Sequence, residues 1–341
     1  MRLPTLSLLA GAAVLPLSLA QSLDANAIIQ ALRSAGLNSL AEAATSINST
    51  EIGISLFTAL LSGQNVTVFA PTDQAFSNAQ SRLGGASTND VAEVLAYHVL
   101  LGNYSSPTTA NTIISSTSPN VTIARTFLNA SDEVRLEGNK SQVLAWTRQG
   151  DAVTFINQNT TTTVQNVTHV SNITLAVIDQ VLAIPRDIHS VIESNSNLSA
   201  IEPVFGTQTT GPNGDNQALI DVLEDQRGIT IFVPNNDAVI QANATLLQLA
   251  QNTTALLSVL GNHIINGTSV YSPSITDGAK LTSSRGEELS FTVNATGVFV
   301  TSGNATAQIV QTDLLTENGV LHIINGVLTN AESDEQKAGD A

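Results

Sequence analysis

The feature that most constrains this chain is an internal duplication. Residues 67–76 read TVFAPTDQAF and residues 230–239 read TIFVPNNDAV, so the same strand, proline and polar pair recur. Two more pairs follow in the same order: VLAYHVLLGN at 94–103 with VLGNHIINGT at 259–268, and NITLAVIDQVL at 172–182 with NGVLHIINGVL at 318–328. Three matches in one order predict two tandem copies of one structural unit.

In each copy, helical patterns come first and strand patterns follow. Apolar residues at helical spacing predict helices over residues 24–34, 54–61, 90–101, 188–192 and 218–223. We expect Thr88 or Asn89 to cap the third of these helices. Runs rich in Val, Ile, Thr and Phe predict strands over residues 121–127, 142–147, 152–157, 173–177, 289–293, 297–301, 307–311 and 320–324. This order indicates an α+β fold. The last two blocks lie closer together in the second copy than in the first, which predicts a longer hairpin near residues 129–150 of the first copy.

The repeated blocks carry a family resemblance. The first block, the Tyr97-His98 pair and the closing block resemble the hallmark segments of fasciclin domains. The resemblance implies two tandem domains, residues 21–185 and 186–330, each a wedge-shaped β-sandwich packed with helices. It also implies a role in cell adhesion and matrix attachment. The motif residues, for which we expect a structural role, are Pro71, Tyr97, His98, Pro234, His263, Asn318, Gly319 and His322.

The two copies depart from the family pattern at different places. In the second copy Asn262 stands where the tyrosine of the pair is expected. In the first copy the closing block, which begins at Asn172, has neither the glycine nor the histidine found at Gly319 and His322.

The two ends of the chain predict its compartment. Arg2, an apolar stretch over residues 6–17 and the small residues Ser18 and Ala20 are typical of a signal peptide over residues 1–20, although a buried N-terminal helix is an alternative. Residues 331–341 are polar and predict a disordered tail without the hydrophobic segment of a lipid-anchor signal. We therefore expect a protein that is secreted to the extracellular space, cell surface or cell wall.

Glycosylation sequons support this expectation. Only 12% of the residues are charged, so sugar is an alternative means of keeping the surface solvated. We expect some of the fifteen sequon asparagines to be buried and unmodified. They are Asn48, Asn65, Asn103, Asn120, Asn129, Asn139, Asn159, Asn166, Asn172, Asn197, Asn243, Asn252, Asn266, Asn294 and Asn304.

Charge and residue types exclude several functions. The net charge is −16 and the 12 basic residues are scattered, which argues against nucleic acid and against anionic lipid surfaces. The chain has no cysteine and therefore no disulfide. Its five histidines form no zinc-binding motif, and no nucleophile elbow or phosphate-binding loop occurs, so we predict no metal, no cofactor and no enzyme. For His98, His263 and His322 we expect burial and hydrogen bonds to the backbone.

One segment is a candidate for receptor binding. Asp313 and Leu314 precede the closing block of the second copy and are similar to the integrin-recognition segment at that place in some fasciclin domains. The alternative is that Asp313 caps a turn while Leu314 and Leu315 fill the core.

Three hypotheses on function remain open. The first is a secreted glycoprotein that mediates adhesion, or cell-wall or matrix attachment, by contacts with cell-surface or matrix proteins and glycans. The second is an extracellular carrier of a lipid or another apolar small molecule, for which an apolar cavity with few polar groups would be the evidence. The third is an extracellular hydrolase, which would need a cleft that joins His, Ser and a carboxylate.

Overall fold

The computed structural model describes residues 24–102, 104, 121–129, 133–149, 152–158, 160–210, 214–249 and 251–334. The predicted signal peptide, the sequons Asn103, Asn120 and Asn159, and most of the predicted tail lie outside the described residues.

The first repeat begins with helices and continues with strands, as the sequence pattern predicts. Its helices are α1 (Ala25–Ser34), α2 (Asn38–Ser46), α3 (Glu51–Leu61), α4 (Asp73–Asn78), α5 (Gln80–Leu83) and α6 (Thr88–Tyr97). Its strands are β1 (Val66–Pro71), β2 (Val99–Leu101), β3 (Val121–Arg125), β4 (Val143–Gln149), β5 (Ala152–Phe155), β6 (Val164–Val170) and β7 (Ile173–Ile178).

The second repeat follows the same order with shorter helices at its start. Its helices are α7 (Ile188–Glu193), α8 (Glu202–Phe205), α9 (Leu219–Glu224), α10 (Asn236–Leu249) and α11 (Thr253–Gly261). Its strands are β8 (Gln208–Thr210), β9 (Asn216–Ala218), β10 (Ile229–Pro234), β11 (Ile264–Asn266), β12 (Lys280–Thr282), β13 (Glu288–Asn294), β14 (Gly297–Ser302), β15 (Ala305–Thr316) and β16 (Gly319–Ile324).

The cap of α6 differs from the sequence prediction. Ser87, and not Thr88 or Asn89, is the N-cap residue. The Ser87 hydroxyl accepts a hydrogen bond from the backbone N–H of Asp90, and the Asp90 carboxylate accepts one from the backbone N–H of Ser87. This reciprocal capping box satisfies two N–H groups that the first helical turn leaves free, and the helix begins at Thr88, two residues earlier than predicted. The helix also ends at Tyr97, because the chain enters β2 after His98.

Both repeats place the first and the last motif blocks side by side. In the first repeat β1 pairs parallel with β7, within the strand order β2-β1-β7-β6. In the second repeat β10 pairs parallel with β16, within the order β11-β10-β16-β15. The equivalent pairing brings segments that are far apart in sequence into one buried strand pair at the centre of each repeat.

The two repeats differ in how the remaining strands join. In the first repeat β3, β4 and β5 form a separate three-stranded sheet, whereas in the second repeat β15 extends the sheet to seven strands. Register shifts interrupt the pairing of β15 with β16 between Ile309 and Leu314, and Asp313 lies there in the left-handed region at φ 59°. Such bulges bend a strand, so β15 pairs with β16 at one end and with β14 along the other.

The extra residues of the first repeat lie between strands. Residues 126–142 join β3 to β4, whereas residues 283–287 alone join the equivalent strands β12 and β13. Because β3 and β4 pair antiparallel, this long connection forms the longer hairpin predicted near residues 129–150, with the additional segment ahead of β4.

That additional segment contacts the second repeat. The backbone N–H of Arg135 donates to the Glu317 carbonyl at 2.8 Å, and the Gly228 N–H donates to the Arg135 carbonyl at 3.0 Å. The Arg135 guanidinium also pairs with the Glu317 carboxylate. Gly228 has φ 69°, and a Cβ there would overlap Glu137, so glycine permits the close approach.

An apolar cluster continues this contact. Val143 and Ala145 of β4 pack with Tyr271, Leu315 and Val320 of the second repeat in a single buried cluster. The side-chain amide of Gln142 donates to the Thr316 carbonyl at 3.1 Å next to it. Buried apolar area, backbone hydrogen bonds and an ion pair together hold the repeats in a defined arrangement.

Candidate functional site

The motif histidines His98 and His263 have the same structural role in the two repeats. Nδ1 of His98 donates to the Val94 carbonyl at 2.6 Å, and Nε2 accepts from the Leu182 N–H at 2.9 Å. His263 repeats the arrangement with the Val259 carbonyl at 2.8 Å and the Leu328 N–H at 3.0 Å. Each imidazole thus ties the end of a helix to the chain that follows the last strand of its repeat.

These histidines are neutral and have no capacity left for a ligand or a proton transfer. Burial lowers the pKa of His98 to about 4 and that of His263 to about 4, although the hydrogen bond to the helix carbonyl opposes the change. A carbonyl must accept and an N–H must donate, so Nδ1 carries the hydrogen and Nε2 is the acceptor. The prediction that His98 and His263 are buried and bonded to the backbone is confirmed.

The partner of the histidine differs between the repeats. Tyr97 is buried and its hydroxyl donates to the Val143 carbonyl at 3.1 Å, which joins α6 to β4. Asn262, at the equivalent place, donates from its amide to the carbonyls of Asn330 and Glu332 at 3.0 and 2.9 Å. The substitution therefore replaces a contact to the sheet with one that fixes the end of the described chain.

The remaining motif residues stabilise the central strand pair. Pro71 and Pro234 end β1 and β10, and Pro234 is buried against β16. The Asn318 amide donates to the carbonyls of Leu223 and Gln226 at 2.8 and 3.1 Å, next to the C-terminus of α9. A Cβ at Gly319 would overlap the carbonyl oxygen of Ile229, so the parallel pair needs glycine there.

His322 has a partner that sequence reasoning did not find. Its Nε2 donates to the Val270 carbonyl at 2.8 Å, and its Nδ1 accepts from the Asp313 N–H at 3.4 Å. Burial lowers the pKa of His322, while the negative charge of Asp313 acts in the opposite direction. The ring stacks on Phe232 with 5.6 Å between centroids.

The receptor-binding hypothesis for Asp313 and Leu314 needs a correction. Asp313 is completely buried, and its Oδ1 accepts from the Ser272 N–H at 2.7 Å. Its carbonyl accepts from the Asn157 amide of the first repeat. Leu314 is partly buried and packs against the apolar core of the second repeat, which includes Ile231 and Leu321. The expected exposed carboxylate is therefore absent, because the bulge in β15 turns Asp313 inward, as in the alternative that the sequence left open.

The sequons that the structure describes are accessible almost without exception. Ten of the described sequon asparagines are exposed and two, Asn172 and Asn266, are half-buried. The expectation that some would be buried is thus wrong for the described sites. Asn172 is the most constrained of these, because its amide nitrogen donates to the Gln64 carbonyl.

A groove of about 920 Å³ lies where the two repeats meet. Its walls come from α5 and α6 of the first repeat, the connection through Pro185, and α7 and β15 of the second. The polar side chains that line it are two guanidinium groups, four amides, the carboxylate of Asp90 and the hydroxyls of Ser194 and Ser196. Those that bear on binding are Arg82, Arg186, Asn157, Gln158, Asn195 and Gln311.

Two arginines line the groove, although the protein as a whole has a net charge of −16. Arg82 and Arg186 are exposed and form no ion pair with a described residue. Arg82 is held in place because its guanidinium donates to the Val181 carbonyl at 2.8 Å. Asp90, the acidic residue of the lining, is engaged in the capping box of α6. Two arginines are therefore available to a ligand that bridges the repeats.

Other types of site lack support in the described part of the chain. No group of three or more His, Cys, Asp or Glu side chains there is arranged to hold a metal ion. In that same part of the chain, no helix is both long enough and apolar enough to cross a membrane.

Comparison with known proteins agrees with this architecture. The Fasciclin domain family matches residues 24–185 and 213–330. A curated relative, the fasciclin-like arabinogalactan protein of Arthroderma benhamiae, is 26% identical over 186 residues, which is 54% of this chain and 40% of that protein. This chain thus matches less than half the length of that relative.

Among solved structures, the chain is similar to a FAS1 domain pair from the insect cell adhesion molecule fasciclin I. That pair is 17% identical, with a TM-score of 0.40, and the match covers 90% of this chain and 99% of that one. The repeated motif blocks, the equivalent strand pairs and the two family matches lead to one conclusion: this chain belongs to the fasciclin family and contains two tandem fasciclin domains.

Proposed function

We propose that this protein is a secreted, N-glycosylated, non-enzymatic protein of cell adhesion or of cell-wall or matrix attachment. It acts through contacts with cell-surface or matrix proteins and glycans, and the groove between the domains is its principal contact site. Family membership supports adhesion, since fasciclin domains occur in adhesion proteins and in fasciclin-like arabinogalactan proteins. The accessible sequons support secretion and glycosylation.

The observation that carries the proposal is the pair of groove arginines, Arg82 and Arg186, whose guanidinium groups contact the backbone carbonyls of Val181 and Ser190 but form no ion pair with a described residue. Guanidinium groups bind carboxylates through two parallel hydrogen bonds, and amide side chains match the hydroxyl groups of sugars. The groove therefore suits a sugar chain that carries carboxylates, or an acidic segment of a protein. Because both domains build it, their fixed arrangement keeps the site formed before the ligand arrives.

A binding measurement tests this function. The glycosylated protein is incubated with a uronic-acid polysaccharide, a neutral β-glucan and whole cells, next to an enzymatically deglycosylated sample. We expect saturable binding that survives deglycosylation and weakens by about tenfold in Arg186→Gln. Arg33→Gln, which removes an exposed arginine at the end of α1, is the matched control and should leave binding unchanged.

Two results would reject parts of the proposal. Binding that disappears with the sugars would assign attachment to the glycans and not to the groove. Absence of binding to polysaccharides, proteins and cells alike would reject attachment as the function.

A further inference from the structure

The second domain contains an apolar cleft for which adhesion gives no role. It has a volume of about 410 Å³ and lies between α8, α9, α10, α11 and β10. Its floor is buried and consists of side chains such as Ile231, Val233 and Val259. Its rim includes the exposed residues Pro203, Asn243 and Leu247. The cleft therefore has an apolar interior and an opening to solvent.

The first domain provides an internal comparison. The equivalent space, next to His98, is also apolar but measures about 50 Å³. There α1, α2 and α3 have 10, 9 and 11 residues, and their side chains fill the space. In the second domain α7, α8 and α9 have 6, 4 and 6 residues, so less helix covers the same face. The opening is a property of one domain and not of the fold.

The polar groups at the floor of the cleft already have hydrogen-bond partners, which limits the kind of ligand that can bind there. Both nitrogens of His263, the titratable group that lines the cleft, are already used by backbone groups. Strand β10 pairs with β11 on one side and β16 on the other, so it offers no free edge to a peptide. A buried peptide or sugar would bring polar groups that find no partners, at a high desolvation cost. The occupant must be apolar along its buried length.

We propose that this cleft binds a single long acyl chain, with the polar head of the lipid at the exposed rim beside Pro203 and Leu247. The volume lies within the range of ligand pockets, and the lining combines many aliphatic groups with three polar side chains, Thr207, Asn243 and His263. Leu247 is 61% exposed at the rim, which an acyl chain would cover on binding. A free fatty acid and a monoacyl phospholipid share this chemistry, and the experiment separates them.

The test uses the full-length, delipidated glycoprotein and cis-parinaric acid, a fatty acid that fluoresces in apolar surroundings. We expect saturable uptake of one molecule per chain, displaced by palmitate, by lysophosphatidylcholine or by both. Displacement by one competitor alone identifies the source of the chain. No saturable uptake, or uptake that neither competitor displaces, would overturn the proposal.

Two variants on the same helix locate the site. Leu247→Glu places a charge on the rim without disturbing a buried contact, and we expect binding to weaken by about tenfold. Ile240→Glu is the matched control, because Ile240 is 66% exposed on α10 and does not line the cleft. Equal loss in both variants, or loss in neither, would show that the fatty acid binds elsewhere and would overturn the assignment. Failure here leaves polysaccharide attachment untouched, since the groove uses other residues.

Discussion

The two fasciclin domains of this chain are copies of one fold that differ in what they enclose and what they contact. The first has long covering helices, a filled core and a separate three-stranded sheet, and its additional segment contacts the second domain. The second has short covering helices, one seven-stranded sheet and an open apolar cleft. Both domains share the buried histidine that bonds to two backbone groups, and both share the central parallel strand pair. The two domains differ in their surfaces and cavities.

We expect the largest loss of stability at the central parallel strand pair, where the two domains have different residue types at one equivalent position. Gly319 lies against the carbonyl of Ile229, whereas Ile173 occupies the equivalent place in the first domain. Gly319→Ala should cost about 3 kcal/mol or more, because the added Cβ meets rigid backbone. Gly206→Ala is the control, since a Cβ there makes only ordinary contacts. Calorimetry should show a lower transition temperature for Gly319→Ala alone, and equal transitions would contradict the close approach.

The shared histidine ties predict a common pH dependence. The folded-state pKa of His98 and of His263 is about 4, below the unfolded value of about 6.5. The unfolded chain therefore binds more protons, and stability is lost as pH falls from about 6.5 towards 4. At pH 5 each histidine should cost about 2 kcal/mol relative to pH 7.

A non-titrating replacement separates this effect from other acid effects. Glutamine can donate and accept as the neutral imidazole does, so His263→Gln should flatten the change in urea stability between pH 7 and 5. An unaltered slope would mean that His263 does not titrate in this window.

The contact between the domains predicts a smaller effect on how they unfold together. Arg135→Ala removes the pair with Glu317 and should cost about 1 to 2 kcal/mol, since these side chains are only 29% and 15% exposed. Lys280→Ala breaks the pair with Glu288, whose members are 64% and 57% exposed, and should cost less than about 0.5 kcal/mol.

The only tryptophan makes the coupling measurable. Trp146 lies in the core of the first domain, so its fluorescence reports that domain while circular dichroism reports both. Arg135→Ala should separate the two urea transitions. Transitions that stay coincident in Arg135→Ala would show that this pair is not needed for coupling.

The smallest effect concerns sugar occupancy on two neighbouring strands. Asn166 of β6 is exposed, whereas the amide nitrogen of Asn172, just before β7, donates to the Gln64 carbonyl. Glycopeptide mass spectrometry should find Asn172 modified in a smaller fraction of molecules than Asn166. Equal occupancy would mean that glycosylation precedes the formation of this hydrogen bond.

Much of the framework could be predicted from the sequence, because it rests on local patterns. The duplicated blocks predicted the tandem arrangement, and the strands around Val320 and Ile173 were found by their β-branched runs. Helix α2 was missed, because its sequence NSLAEAATS is rich in small residues and its buried face combines one large apolar side chain, Leu40, with Ala41 and Ala44. The fully buried position of Asp313 depends on a bulge that only the pairing of β15 with β16 reveals.

The sites themselves depend on tertiary geometry. The cleft depends on the lengths of several helices, which a local pattern does not relate to one another. The groove depends on how the two domains meet. Arg82 and Arg186 are far apart in sequence and carry no motif, so no local pattern could have joined them. The carrier hypothesis named the kind of cavity to look for but not the domain that holds it.

The most direct test of this comparison is a crystal structure of the protein soaked with a fatty acid that carries bromine on its terminal carbon. We predict one anomalous bromine peak in the second domain, among side chains such as Ile231 and Val259, and none beside His98 in the first. A peak in the first domain, or none in either cleft, would contradict the conclusion that shorter covering helices opened a binding site in one copy alone.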